Sequence, residues 1–301
     1  MSAPATSVEN LRERLTAGRV VVLDGALGTE IERRGIPAPA PLWSTWALLH
    51  EPVAVADIHR RYVAAGAEIV VADTFRAGPR ALRQAGLYER GPELCRRAVE
   101  LARQAAQQVS RPVVVAASVA PVEDCYSPEL VPPEAELRAE HGELARWLAE
   151  AGAELLWIET IGTQREALAA AEAARRVGLP LVVSLVLRED GRLLGGDSLA
   201  ETVRALERCE PLALGLNCIP PAGLTRHLAT LRAATRRPLA AYAHINNERP
   251  TPGWSFAQRM EPGQYAEQAL RWRALGAQVI GGCCGTMPEH IAALVDRLPR
   301  P

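Results

Sequence analysis

Three cysteines stand where apolar runs end among glycines. Cys283 and Cys284 are adjacent in Ile280-Gly281-Gly282-Cys283-Cys284-Gly285-Thr286, and Cys218 closes Gly215-Leu216-Asn217-Cys218. Three thiolates suit a thiophilic metal ion. Without a fourth protein ligand they leave one coordination position open, as catalytic sites do and structural ones do not. Neighbouring residues of a strand point to opposite faces, so Cys283 and Cys284 can share one ion only if the chain is already turning there. Gly281, Gly282 and Gly285 permit that turn. The same residues would also be explained as three small buried hydrophobes, because free cysteine is among the most buried side chains. A further explanation is a phosphate held on the glycines, although no basic residue supports it.

Positioning such a cluster needs strands that deliver their ends to one place. Eight runs rich in Val, Leu and Ile recur, each followed by a helical pattern: Arg19 to Ala26, Glu68 to Phe75, Pro112 to Ala120, Glu154 to Ile161, Leu181 to Leu187, Leu212 to Cys218, Leu239 to Ile245 and Gln278 to Cys284. Their near-continuous apolarity is what strands buried on both faces require, as in parallel sheets covered by helices. Eight strand-helix units predict an α/β fold of the (β/α)8 TIM-barrel type. Helical spacing is clear in Glu134 to Ala151 and Arg165 to Val177. The turn Ala-Gly-Ala-Glu at 65–68 and 151–154, and its variant Leu275-Gly276-Ala277-Gln278, stops a helix with glycine just before a strand. Two longer loops, Gly35 to Pro52 after the first strand and Asn246 to Pro262 after the seventh, would lie on the C-terminal face, where barrel active sites are built. No linker divides the chain, so residues 1–301 are read as a single barrel domain.

Composition narrows the partners. The 301 residues are 48% apolar with a net charge of −1, enough to bury a large core and without the basic patch that nucleic acid or an anionic membrane would demand. A small neutral or zwitterionic substrate fits better. The N-terminus has no apolar signal-like segment and no run is long enough to span a bilayer, which reads as a cytoplasmic protein. Six cysteines without a regular framework are expected to be reduced thiols. All 34 residues counted as lysine or arginine are arginine, so no Schiff-base lysine is available.

These motifs match a family. Asp24-Gly25-Ala26-Leu27-Gly28-Thr29-Glu30, Pro41-Leu42-Trp43-Ser44, Ala72-Asp73-Thr74-Phe75, Glu159-Thr160, Gly215-Leu216-Asn217-Cys218 and the cysteine pair with its glycines resemble the zinc-dependent homocysteine S-methyltransferases, from about Arg19 to Leu298. The resemblance implies Zn2+ held by Cys218, Cys283 and Cys284, and homocysteine held at its amino-acid end by Asp24, Gly25 and Glu159. Thr74, Asn217 and Trp43, which stand in the matching motifs, are further candidate substrate-binding residues. Glu159 suits an ammonium group, and amides in the turn after Asp24 suit a carboxylate. The chain departs from the family in two places. Thr160 stands where betaine-using members have tyrosine, and His244 stands about where an asparagine is expected, beside the pair Asn246-Asn247. His244 is therefore a possible metal ligand, or a histidine bonded to a backbone carbonyl.

The reaction so implied is methyl transfer from a small onium donor to the homocysteine thiol, giving methionine. S-methylmethionine is favoured, with betaine and S-adenosylmethionine as other donors. Trp43, Trp46, Trp254 and Tyr242 are candidates for the aromatic face that stabilises a cationic methyl group. Cys125 reads as a bystander near the site, and Cys95 and Cys209 as packing residues. The alternatives are a phosphate-binding barrel lyase or isomerase, and a zinc- or thiol-binding barrel without turnover.

Overall fold

The computed structural model describes residues 7–245 and 260–299; Trp254, the Asn246-Asn247 pair and most of the second long loop lie outside them. Eight parallel strands are present. They are β1 (Val21–Val22), β2 (Ile69–Ala72), β3 (Val114–Val119), β4 (Leu155–Ile161), β5 (Leu181–Leu185), β6 (Ala213–Asn217), β7 (Leu239–Tyr242) and β8 (Ala277–Ile280). They pair in the order β1-β8-β7-β6-β5-β4-β3-β2. A parallel bridge between Leu23 and Ile69 joins the two ends, supported by Glu68 N–H to Val22 O at 2.7 Å and Asp24 N–H to Ile69 O at 3.0 Å. The sheet is thus a closed (β/α)8 barrel.

The helices are α1 (Ser7–Thr16), α2 (Leu27–Arg33), α3 (Ser44–His50), α4 (Pro52–Ala64), α5 (Pro79–Gln84), α6 (Gly91–Ala106), α7 (Glu134–Glu150), α8 (Gln164–Arg176), α9 (Leu199–Leu206), α10 (Pro221–Ala234), α11 (Pro262–Ala274) and α12 (Pro288–Arg297). No helix among the described residues is long and apolar enough to cross a membrane.

Alternation along each strand divides the core in two. Val115, Ala117 and Val119 of β3 face the helices, while Val114 and Ala116 face the barrel interior with Val21, Leu23, Trp157 and Tyr242. Both faces are therefore apolar, and each fully buried aliphatic side chain contributes ~1.5–3 kcal/mol. The repeated helix-to-strand turn needs its glycine: φ is 106° at Gly66, 79° at Gly152 and 97° at Gly276.

Two arrangements differ from the sequence expectation. The first long loop is half helix, because Ala47 and Leu48 are completely buried and pull residues 44–50 into α3. The N-terminal segment forms α1, whose Val8, Leu11 and Leu15 join the interior cluster. Arg14 meets Glu68 at 2.5 Å, Gln278 donates to the Leu15 carbonyl at 2.5 Å, and Ser7 bonds Glu154. All three partners lie at strand starts, so α1 closes the N-terminal end of the barrel.

Candidate active site

The opposite end holds a cavity of about 780 Å³, lined by residues that follow the strand C-termini. That volume lies within the roughly 300–1,000 Å³ usual for small-ligand sites. Cys218, Cys283 and Cys284 all line it, and their sulfurs lie within 4.8 Å of one another, with Cys218 and Cys284 3.5 Å apart. This is the one such group of metal-binding side chains among the described residues.

Local backbone explains how three thiols meet. β8 ends at Ile280, so Cys283 and Cys284 sit in the turn that their sharing of one ion requires. Gly281 N–H reaches Ala241 O at 3.3 Å, Gly282 N–H reaches Asp24 O at 2.9 Å and Cys283 N–H reaches Ala243 O at 3.0 Å, stitching the turn to both neighbouring strand ends. A Cβ at Gly281 would lie 2.5 Å from that of Leu23, so only glycine lets these backbones approach. Cys218, just beyond β6, takes a left-handed φ of 50°, which costs about 1–2 kcal/mol for a residue with a side chain.

The glycine amides here are engaged. Besides those three bonds, Gly285 N–H goes to Thr29 Oγ1 at 2.9 Å and Thr286 N–H to Cys283 O at 3.1 Å. A phosphate would find no cradle of open amides in this turn, which removes the basis for a phosphate-binding lyase or isomerase.

Hydrogen bonds make the thiols unequal. Cys218 accepts from its two cysteine neighbours and from Tyr126 O–H at 3.0 Å, and these contacts hold its thiol well below the usual range. Burial and the charge at Cys218 push Cys283 upward. The hydrogen bonds to Cys218 and Cys283, with burial, raise Cys284.

Glu159 faces the same cavity. It lies where β4 slips its register against β5 between Ile158 and Ile161, and Thr160 in that bulge has φ of 60°. Asn217 pins the bulge, accepting from Thr160 N–H at 3.0 Å and donating to Thr160 Oγ1 at 2.8 Å. A bulge re-aims the side chains around it. Ser118 O–H donates to Glu159 at 2.6 Å, and Tyr242 O–H makes a longer contact of 3.4 Å. Burial pushes the Glu159 carboxyl up to about 7 despite those donors. Asp24 also lines the cavity; burial raises its carboxyl although Val71 N–H donates to it at 2.8 Å. Gly25 lies beside it, with Tyr62 and Thr286 so close that any side chain there would collide.

Trp43 lines the cavity too, its ring lying where a Gly28 side chain would be and meeting Phe75 edge-on at 5.6 Å. Trp46 stacks on His50 away from the cavity wall. Thr74 and Asn217 are completely buried behind the wall, with the Thr74 hydroxyl donating to Ser118 O at 2.8 Å. The structure therefore does not bring these two into the cavity, although it places their neighbours Asp73, Phe75 and Cys218 there. His244 is completely buried and close enough to Cys218 to lower its thiol, but it lies outside the three-sulfur group. Cys125 lines the cavity, whereas Cys95 and Cys209 are buried in α6 and in a short turn after α9.

Sequence reasoning missed Ser118, Tyr126 and Asp73. Ser118 could have been found as a hydroxyl inside an apolar run near a strand's C-terminal end. Tyr126 gave no signal, since only the fold brings 126 to 218.

A family profile described as homocysteine S-methyltransferase matches residues 21–298. The chain belongs to the homocysteine S-methyltransferase family. A homocysteine S-methyltransferase of Escherichia coli is 32% identical, with 95% of this chain and 98% of that protein covered. The metallated crystal structure of the E. coli homocysteine methyltransferase MmuM superposes with a TM-score of 0.85 at 31% identity, covering 96% of this chain and 99% of that one. A selenocysteine Se-methyltransferase of Brassica oleracea is 29% identical over 93% of this chain and 89% of its own length. Family members thus include proteins named for sulfur and for selenium acceptors.

Proposed function

We propose that this member of the family transfers a methyl group from a small sulfonium compound to the thiol of homocysteine, giving methionine, with zinc held by Cys218, Cys283 and Cys284. One observation carries the reading: the three thiols share a cavity with Glu159, Asp24 and Gly25. Three free thiols so close together fit a thiophilic divalent cation and leave room for one further ligand. Such an ion, when bound, favours the thiolate over the thiol in a sulfur ligand.

The protein's own groups supply the rest. Glu159, oriented by Ser118, takes the α-ammonium of homocysteine, and the Gly25 turn takes its carboxylate. Thr74 and Asn217 act from behind, fixing the strand ends that carry these groups. In the transfer, a lone pair of the homocysteine sulfur forms the new S–CH3 bond while the donor's S–CH3 bond breaks. The broken bond's electron pair stays on the departing sulfur, which leaves as a neutral thioether. Trp43 and Tyr242 offer aromatic surface to the cationic donor.

Charge supports a cationic donor. Asp24, Glu32, Asp73, Glu123, Asp124 and Glu159 line the cavity, with Arg76 as the one guanidinium among the described residues. S-methylmethionine and S-adenosylmethionine carry a net positive charge, whereas betaine is neutral overall, so the lining suits the sulfonium compounds. The unpaired cysteines suit a reducing compartment such as the cytoplasm, and we read residues 1–301 as one domain.

The test begins with the metal content of protein purified under reducing conditions, beside Cys283→Ser, followed by titration with homocysteine. One zinc per chain, lost in the variant, with proton release on adding homocysteine, is the expected result. Methyl transfer is then assayed with S-methylmethionine, S-adenosylmethionine and betaine, and with selenium acceptors. A zinc-loaded protein that methylates homocysteine from none of the three would refute the reading.

A further inference from the structure

Among the acidic groups of the cavity, Asp73 has a carboxylate oxygen that no described residue engages. It follows β2, is 4% exposed, and its Oδ1 accepts from Ser44 O–H at 2.6 Å. Its Oδ2 is buried and has no partner among the described residues. The other two buried carboxyls of the wall differ: Asp24 accepts from the Val71 amide, and Glu159 from Ser118 and Tyr242. A buried polar atom without a partner costs about 1–3 kcal/mol, more when charged, unless a ligand engages it.

The position points to what that ligand is. Ser44 is the chain neighbour of Trp43, and Phe75 is two residues beyond Asp73, so the open carboxylate sits beside the Trp43-Phe75 aromatic pair. Cys218 follows β6, four strands from β2 in either direction round the barrel, so Asp73 and this thiol lie on opposite sides of the mouth. The cavity of about 780 Å³ can thus hold a second molecule at Asp73, across from one whose sulfur meets Cys218. Arg76 is nearby in sequence but donates to the Glu123 carbonyl at 2.8 Å and stacks over Phe75, so it does not pair with the carboxylate. Burial holds the empty carboxyl up at about 6 against the single Ser44 bond, as expected of an acid that awaits a positive charge.

We propose that Asp73 is a specificity residue for the methyl donor: its Oδ2 receives the donor's α-ammonium while the sulfonium rests on the neighbouring aromatic surface. The pocket thereby selects donors in which both cations belong to one amino acid, over onium compounds that lack an amino group. This rests on the methyltransferase reading above and specifies its donor subsite.

Steady-state kinetics of wild type and Asp73→Asn with two donors test it. One is S-methylmethionine; the other is dimethylsulfoniopropionate, which keeps the sulfonium and a carboxylate but has no amino group. The variant is expected to raise KM for S-methylmethionine at least tenfold, to leave KM for homocysteine within twofold, and to change KM for the deaminated donor little. Wild type should therefore prefer S-methylmethionine, and the variant should lose that preference. Equal effects on both donors, or an effect on homocysteine in place of the donor, would overturn the assignment. A wild-type protein inactive with every donor would instead sink the parent reading and this subsite with it. A thermal melt of the variant separates a loss of fold from a loss of recognition.

Discussion

A phenol donating to a cysteine sulfur of the proposed zinc site alters what that sulfur can give. Tyr126 O–H lies 3.0 Å from Cys218 Sγ and draws charge from it. Partners of this kind, one bond removed from a metal, commonly change affinity 10- to 100-fold. Tyr126→Phe should shift zinc affinity by about tenfold, measured by competition with a chromogenic chelator; an unchanged affinity would make the contact incidental. At Asp73 a second residue-scale consequence is thermodynamic. At about pH 3 and below, its carboxyl is largely protonated in folded and unfolded chains alike. From there to about 6 the unfolded chain ionises while the folded one keeps its proton, so this group lowers stability as pH rises, by ~3 kcal/mol in all. Ligand-free Asp73→Asn should thus be more stable than wild type near pH 7.5 and lose that advantage at about pH 3, as denaturant titration would read. An advantage independent of pH would contradict it. Such residues were unevenly legible. The thiols declared themselves because cysteines beside glycines at strand ends are chemically distinctive, whereas Tyr126 and Asp73 acquire meaning only from what the fold sets against them.

Elements place these residues through small irregularities. β4 would carry Glu159 in a regular alternation, but the slip at Thr160 interrupts it, and Asn217 from β6 holds the slip with two hydrogen bonds. Asn217→Ala leaves the buried Thr160 amide without a partner, a cost of about 1–3 kcal/mol. The variant should unfold at lower denaturant and show a KM for homocysteine raised more than tenfold, because Glu159 is no longer aimed. Normal homocysteine kinetics in a destabilised variant would confine Asn217 to a structural part. The hydrophobic pattern announced β4 and β6 but not the bulge, since polar residues such as Glu159 and Thr160 at the end of an apolar run read as an ordinary strand end. In the same way the proline-rich run before Trp43 hid α3, whose single buried face of Ala47 and Leu48 is too short to show a period.

On the scale of the molecule, eight apolar runs were enough to call the barrel, because strands covered on both sides must be apolar throughout. The N-terminal helix was not legible. Its three apolar residues look like any amphipathic surface helix until the open end of the barrel is there to receive them. Leu11, 2% exposed within the interior cluster, reports on that closure. Leu11→Ala should cost about 2–5 kcal/mol while leaving KM for both substrates unchanged in the molecules that remain folded. A change in KM with little loss of stability would mean that α1 communicates with the far end.

Because α1 seals one end and side chains fill the interior, the described residues leave the strand C-terminal end as the way in. A methyl passed directly from one sulfur to the other in this cavity requires both reactants to be aboard before it moves. A plot of reciprocal rate against reciprocal donor concentration, at several homocysteine levels, should give lines that converge; parallel lines would require a methylated protein as intermediate.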